Sequence, residues 1–186
     1  MNATTGTIEQ SRTDFNWAVE PLRDLIAHIK TTHHEYVRRE IPHIRELAAK
    51  VAGKHGIERP ELPKIHATFE GLADELTSHM MKEERMLFPF IEHMEEAAET
   101  KTSLPFSPFG TVRNPVAIMK HEHADADNAL SELRRLTGDY TAPPDSCECP
   151  TKLYALLAEF EADLHRHIHL ENEILFPRAI ELEQTL

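Results

Sequence analysis

One short phrase occurs twice in the sequence, and it constrains the fold more than any other feature. The letters HMMKE at residues 79–83 lead to LFP at 87–89, and HIHLE at residues 167–171 leads to LFP at 175–177. In each copy a histidine and a glutamate stand four residues apart, so on an α-helix they share one face and reach the same point. The sequence therefore predicts two helices that each carry a pair of metal-ligand residues.

The rest of the chain also has the periodicity of amphipathic helices. Apolar residues recur every three or four positions, glycine is scarce, and no stretch alternates as a half-buried strand does. We predict an all-α fold in which four helices form an up-down-up-down bundle. The predicted helices run from Pro21 to Gly53 or Gly56, from the end of a loop at 58–63 to Thr100, from Asn114-Pro115 to the loop that begins at Gly138, and from Leu153 to about Ile180.

We expect one folded domain at residues 20–186, preceded by an N-terminal arm at residues 1–19. A chain of 186 residues that is 40% hydrophobic is long enough to bury one core. Phe15 and Trp17 are candidates to anchor the arm against the bundle. Asn114 is expected to be the N-cap of the third helix, with Pro115 in its first turn.

Charge and composition exclude several classes of partner. The formal net charge of -12 is spread along the helices and disfavours attraction to nucleic acid or to an anionic membrane. No apolar run is long enough to cross a bilayer, and the N-terminus lacks the blocks of a signal peptide. We therefore expect a cytoplasmic protein. Cys147 and Cys149, the only cysteines, are too few for a zinc cage and are interpreted as incidental.

The repeated pairs occupy positions where a helix seam normally carries leucine. On the second helix the apolar steps select His79 and Glu83 as inward residues, and on the fourth helix they select His167 and Glu171. The third helix places His123 inward in the same way, whereas His121 and His169 fall off their stripes. Buried carboxylates beside neutral imidazoles are costly unless cations lie between them. The pattern therefore predicts a buried metal site.

The first helix must supply a fourth imidazole, and spacing does not identify it. His33 is closer in phase to Ile26 and Ile29, whereas His34 is closer to Ile41. Periodicity therefore leaves both His33 and His34 open.

The type of ligand indicates the type of metal. Four histidines and two glutamates without a thiolate suit iron or manganese better than zinc or a soft metal. Two glutamates can each bridge a metal pair, and an oxo or hydroxo bridge would leave each ion about five-coordinate. The open position could then bind a small diatomic ligand.

These motifs resemble those of the hemerythrin-like di-iron proteins, and specifically of the repair-of-iron-centres family. The resemblance rests on HMMKEE at residues 79–84 and on LEN followed by LFPRA within residues 170–179, and it extends over nearly all of residues 20–180. It implies a hemerythrin-like four-helix bundle that holds two non-haem iron ions, oxo- or hydroxo-bridged. The ligands that it implies are His34, His79, Glu83, His123, His167 and Glu171.

Two departures from the family pattern affect the expected function. Oxygen-carrying hemerythrins have a further histidine one turn after the ligand of the third helix, and this chain has Asp127 there. That difference weakens an oxygen-carrier interpretation. Full-length members of the repair family also carry a small N-terminal domain with a cysteine pair, which this sequence does not include, so the resemblance does not extend to reactions that need those thiols.

The resemblance implies a protein of the nitrosative and oxidative stress response that supplies iron to damaged iron–sulfur proteins. One alternative is a module that binds or senses nitric oxide or dioxygen at the open position without releasing iron. Another is an enzyme that reduces nitric oxide or peroxide, with Glu122 beside His123 as a proton carrier. The sequence does not choose between donor, binder and reductase.

Overall fold

The computed structural model describes residues 16–104, 106–142 and 148–186, and within these ranges all regular secondary structure is helical. The predicted all-α fold is confirmed. The helices are α1 Leu22–His28, α2 Glu35–His55, α3 Glu61–Lys82, α4 Phe88–Thr100, α5 Arg113–Thr137, α6 Glu148–His169 and α7 Phe176–Thr185. Three π-helical turns join them into longer helices, π1 Ile29–His34, π2 Glu83–Leu87 and π3 Leu170–Leu175. Within the described ranges these elements form four long helices, and α5 is the one that contains no π turn.

The four long helices pack around two hydrophobic clusters. The segment α1 lies against α4 and α2 lies against α3, so the first two long helices are antiparallel, and α2 also packs against α6. The main cluster includes Ile44, Phe69, Leu76, Leu130 and Phe160, and the terminal cluster includes Leu25, Ile29, Phe88, Val116 and Phe176. Because α2, α3 and α6 contribute to the main cluster and α1, α4 and α7 to the terminal cluster, the π turns lie where the two clusters meet.

Two of the π turns have a clear cause in the sequence. Pro89 and Pro177 occupy the second positions of α4 and α7, directly after π2 and π3. Proline has no backbone N–H to donate, so the helical hydrogen-bond pattern must change in the turn before it. The repeated Leu-Phe-Pro sequence therefore places a widened turn beside each glutamate of the repeated pair. Such turns are frequent at functional sites.

The repeat also places a carboxylate in each of α4 and α7 that caps the start of a helix lying earlier in the chain. The Glu95 carboxylate accepts hydrogen bonds from the backbone N–H groups of Leu22, at 2.6 Å, and Arg23, at 3.0 Å. Glu183, at the matching place in the second copy, accepts one from the N–H of Val112 at 2.7 Å. These bonds satisfy amides that a helix start leaves free. The prediction that Asn114 is the N-cap of the third helix was wrong, because α5 begins at Arg113 and Val112 occupies the N-cap position.

The N-terminal arm is described only from residue 16. Trp17 packs against the terminal cluster, and its carbonyl accepts a hydrogen bond of 2.7 Å from Arg178 Nη1. Phe15 and Cys147 lie outside the described residues, whereas Cys149 is a half-buried free thiol. No described helix is both long and apolar enough to span a membrane.

Candidate metal centre

Six of the side chains singled out in the sequence converge between the two clusters. They form two overlapping groups, His34, Glu83, His167 and Glu171 in position 1, and His79, Glu83, His123 and Glu171 in position 2. Within each group one ligand atom from every residue lies within 4.8 Å of the others. All six residues are buried. Glu83 and Glu171 belong to both groups, so the arrangement could hold a pair of metal ions with two shared carboxylates, such as a di-iron site.

The shared carboxylate of Glu171 spans the two positions. Its Oε1 lies 3.0 Å from His167 Nε2 in position 1. Its Oε2 lies 3.0 Å from His123 Nε2 in position 2. One carboxylate therefore presents one oxygen to each position, which is the arrangement of a bridging ligand.

The second shared carboxylate approaches the opposite histidine of each position. Glu83 Oε2 lies 3.4 Å from His34 Nε2 and 3.4 Å from His79 Nε2. Within each position the histidines also meet through Nε2, at 3.2 Å for His34 and His167 and at 3.1 Å for His79 and His123. All four imidazoles therefore turn Nε2 inward and Nδ1 outward.

The structure separates the two histidines that periodicity left open. His34 lies in position 1, whereas the Nδ1 of His33 lies 3.1 Å from both carboxylate oxygens of Asp163 and takes no part in either group. Asp127 is exposed and lies 3.6 Å from His165 at the surface, away from both positions. His121 and His169 are exposed, as their places off the stripes indicated.

Three of the inward-facing imidazoles are oriented by acceptors at their outer nitrogens. His34 Nδ1–H donates to Glu84 at 2.7 Å, His79 Nδ1–H to Glu122 at 2.8 Å, and His123 Nδ1–H to Asn172 at 3.0 Å. Such bonds fix the tautomer that leaves Nε2 free for a metal ion. Glu84 and Asn172 were missed in the sequence, although each directly follows a glutamate of the repeated pair.

The carboxylates lack the protein partners that a purely structural role would require. Among the described residues, Glu83 Oε1 and Oε2 are buried without a hydrogen-bond partner, and Glu171 Oε2, although 3.0 Å from His123 Nε2, has no well-directed hydrogen bond. Such groups are costly unless something satisfies them. Oxygen and imidazole donors facing one another at this spacing fit two cations, and iron suits this mixture of ligands.

The ionisation of the cluster reflects strong coupling between its members. Burial alone would lower the pKa of His79, but the charge of Glu83 and further contacts raise it to about 9. Burial alone would also lower the pKa of His34, but the contact with Glu83 raises it above its usual value. Burial would raise the pKa of Glu171, yet the charge of His167 and the contact with His123 hold it well below its usual range. With no metal bound, the raised pKa values of His34 and His79 therefore favour protons on these two imidazoles, which offset the charge of the carboxylates.

This coupling predicts that the metal-free protein loses stability as pH rises. Because the pKa of His79 is raised from 6.5 to about 9, its contribution is fully present below 6.5 and is lost as pH rises through 9. We expect a decrease of up to ~3 kcal/mol in the free energy of unfolding. Urea unfolding of chelator-treated protein at pH values between 6 and 10 measures it.

The matched variants for this measurement are His79→Gln and His121→Gln. His79→Gln should make the free energy of unfolding depend less on pH. His121→Gln changes an exposed histidine and should leave that dependence unchanged. An equal slope in the wild type and in His79→Gln would contradict the assignment of the proton to His79.

A surface cleft reaches position 2. It has a volume of about 350 Å³, and its lining includes Glu75, Ser78, His79, Lys82, Glu122 and His123. Lys82 donates a hydrogen bond to Glu122, whose other oxygen accepts the one from His79. A small molecule in this cleft would meet the outer face of two histidines of the cluster and a carboxylate able to carry a proton.

Comparison with known proteins agrees with the geometry. A family model described as the hemerythrin HHE cation binding domain matches residues 25–179. The iron-sulfur cluster repair protein DnrN of Neisseria gonorrhoeae is 38% identical over 173 residues, which cover 91% of this chain and 99% of that protein. The iron-sulfur cluster repair proteins YtfE of Musicola paradisiaca and Edwardsiella ictaluri are 37% and 38% identical, over 89% of this chain and over 68% and 69% of their own lengths.

Proposed function

The chain belongs to the hemerythrin HHE cation-binding family, and from this premise we propose that it holds two iron ions and supplies iron for the repair of damaged iron–sulfur clusters. The observation that carries the proposal is the pair of overlapping groups that share Glu83 and Glu171. The relatives named as iron-sulfur cluster repair proteins support the proposal that the iron is delivered to damaged clusters. We propose His34, His79, Glu83, His123, His167 and Glu171 as the ligands.

The ionisation of the cluster suits a protein that both holds and releases cations. The raised pKa of His79 and the lowered pKa of Glu171 mean that protons can take the place of departing cations. Metal binding to such a site is a competition with protons, so release need not leave bare carboxylates in the core. The charge of the carboxylates would thus be offset by cations in one state and by protons in the other, which favours a donor that remains folded after delivery.

We place this activity in the cytoplasm, in a bundle domain at residues 20–186 with an arm at residues 1–19. The proposed partners are damaged iron–sulfur proteins. The net charge of -12 argues against nucleic acid.

The second candidate function is binding or reduction of a small diatomic molecule such as nitric oxide or dioxygen. The cleft that reaches His79 and His123 supports it, because a ligand entering there would arrive at position 2. When bound, the two irons would supply a redox-active centre with room for such a ligand. Glu122 lies at 2.8 Å from His79 and would hold or move a proton at its carboxylate.

Iron transfer to a damaged acceptor tests the leading proposal. Protein loaded with ⁵⁷Fe under anaerobic conditions is mixed with an iron–sulfur enzyme whose cluster was destroyed by nitric oxide, with sulfide and thiol supplied. We expect the acceptor to regain activity and to contain ⁵⁷Fe in its cluster, measured by Mössbauer spectroscopy. Free iron at the same concentration, with a chelator that binds only dissociated ions, is the control.

The outcomes separate the two functions. Retention of both irons while the acceptor stays inactive would count against repair. In that case, consumption of nitric oxide over many turnovers would identify a reductase, whereas binding of a single equivalent would identify a binder or sensor.

A further inference from the structure

The two metal positions differ in how their histidines are held. In position 2 both histidines have acceptors at Nδ1, since His79 donates to Glu122 and His123 donates to Asn172. In position 1 His34 donates to Glu84. His167 is buried, at 1% exposure, so water does not reach its ring freely. Its Nδ1 has no hydrogen-bond partner among the residues that the structure describes.

We propose that position 1 binds its iron more weakly than position 2 and is the one from which iron is delivered, because His167 lacks the outer hydrogen bond that the other three histidines have. This inference rests on the proposed function, since it assumes that both positions bind iron. It adds that the two positions differ in role: the ion in position 1 is exchanged, whereas the ion in position 2 is retained.

The internal repeat shows why His167 lacks a partner. Glu122 stands directly before His123 and holds His79, the histidine of the repeated pair on the adjacent helix. The matching place before His34 is occupied by His33. The ring of His33 lies parallel to that of His167, at 5.7 Å between centroids and 5° between planes. His33 thus takes the place of the acceptor without accepting a hydrogen bond.

The reason that His33 does not accept this bond lies on its other side. Its Nδ1 lies 3.1 Å from both oxygens of Asp163, which also accepts a hydrogen bond from Arg166 at 3.3 Å. The buried carboxylate therefore holds the His33 ring in its stacked orientation. Asp163 and His33 act on the metal site through His167 and are positioning residues.

The expected size of the effect follows from the role of outer hydrogen bonds. Removal of such a partner typically costs about 10–100-fold in metal affinity, because the ring loses orientation and its inner nitrogen becomes a poorer donor. Position 1 should therefore bind iron about 10–100-fold more weakly than position 2. The cleft beside position 2 affects how fast an ion exchanges there and not the equilibrium affinity, so the decisive measurement is made at equilibrium.

Anaerobic titration of the metal-free protein with iron(II), followed by calorimetry, tests the proposal. The wild type should show two binding events of one ion each, separated by about 10–100-fold in dissociation constant. In His33→Gln the new amide oxygen can accept from His167 while the amide N–H₂ donates to Asp163. This variant should strengthen the weaker event alone, so that the two affinities converge at the tighter value. His33→Leu, which offers no acceptor, should not strengthen it.

A second variant tests the same idea from the opposite side. Asn172→Leu removes the acceptor of His123, so that each position has one histidine held by a carboxylate and one without a partner. The two affinities should then converge at the weaker value. Circular dichroism and thermal unfolding establish that each variant is folded before titration, and Mössbauer spectra of protein with one equivalent of ⁵⁷Fe report the occupied environment.

The results distinguish this inference from the proposed function. Equal affinities in the wild type, or an unchanged weaker event in His33→Gln together with an unchanged tighter event in Asn172→Leu, would overturn the difference in role between the two positions while leaving the pair of ions in place. Absence of any binding at two ions per chain would overturn the proposed metal centre itself.

Discussion

Replacing Glu171 with alanine should remove iron from both positions at once. The side chain presents one carboxylate oxygen to His167 in position 1 and the other to His123 in position 2, each at 3.0 Å. Its loss therefore takes a ligand from both ions and leaves the imidazoles without the charge that keeps them aligned. We expect the affinity to decrease by well over the ~100-fold that loss of an outer partner costs. Iron content, measured by metal analysis after anaerobic loading and desalting, should fall from two ions per chain to well below one.

Two further variants make this result specific. His79→Ala removes a ligand of position 2 alone, and iron content should again decrease markedly, since Glu83 and Glu171 must then hold the pair with three histidines. Lys82→Ala removes the surface cation that pairs with Glu122, and the side chain is 37% exposed. It should leave loading near that of the wild type. Equal iron content in all three variants would show that the ligands are wrongly assigned.

Most of this centre could be predicted because five of its members lie on regular apolar stripes. His79, Glu83, His123, His167 and Glu171 replace apolar residues at seam positions, and a polar residue on a seam is visible in a sequence. The repeat then indicated that two such pairs face one another. Local periodicity was therefore sufficient to predict the helices and the inward direction of these side chains.

The choice between His33 and His34 could not be made from periodicity, and the structure shows the physical reason. Both residues lie in π1, where the helix takes a wider turn than an α-helix. The wider turn changes the phase of the helix, so His33 continues the stripe of the residues before it and His34 that of the residues after it. Both are also buried, at 4% and 0% exposure, so burial would not have separated them.

The outer hydrogen bonds were beyond the reach of periodicity for a different reason. Glu84 and Asn172 meet histidines of other helices, at separations of 50 and 49 residues. Each lies partly exposed beside the seam, where a polar residue is the ordinary expectation. Their role depends on how neighbouring helices are rotated about their axes, which only the packed structure determines. The caps provided by Glu95 and Glu183 escaped prediction in the same way.

The second large effect is expected from the phenylalanine of the repeated Leu-Phe-Pro sequence. Phe176 is fully buried in the terminal cluster, and its ring stacks on that of His123 with centroids 6.0 Å apart. Phe88 stacks in the same way on His34, at 5.7 Å. The first copy of the repeat thus supplies an aromatic ring beside one histidine of position 1, and the second copy does the same for one histidine of position 2. The Leu-Phe-Pro motif therefore supports the histidines of the cluster as well as the core packing.

Phe176→Ala should decrease the free energy of unfolding of the metal-free protein by about 3–5 kcal/mol, because it leaves a large cavity in a close-packed cluster. Chemical unfolding with urea measures the decrease, and Phe106→Ala, which changes a 91% exposed ring, should stay within about 0.5 kcal/mol of the wild type. Iron affinity should decrease as well, since the His123 ring loses the surface against which it is held. A loss of stability with unchanged iron affinity would mean that Asn172 alone orients His123. A Phe176→Ala variant as stable as Phe106→Ala would contradict the packing itself, because a fully buried aromatic ring cannot be removed without loss of its contacts.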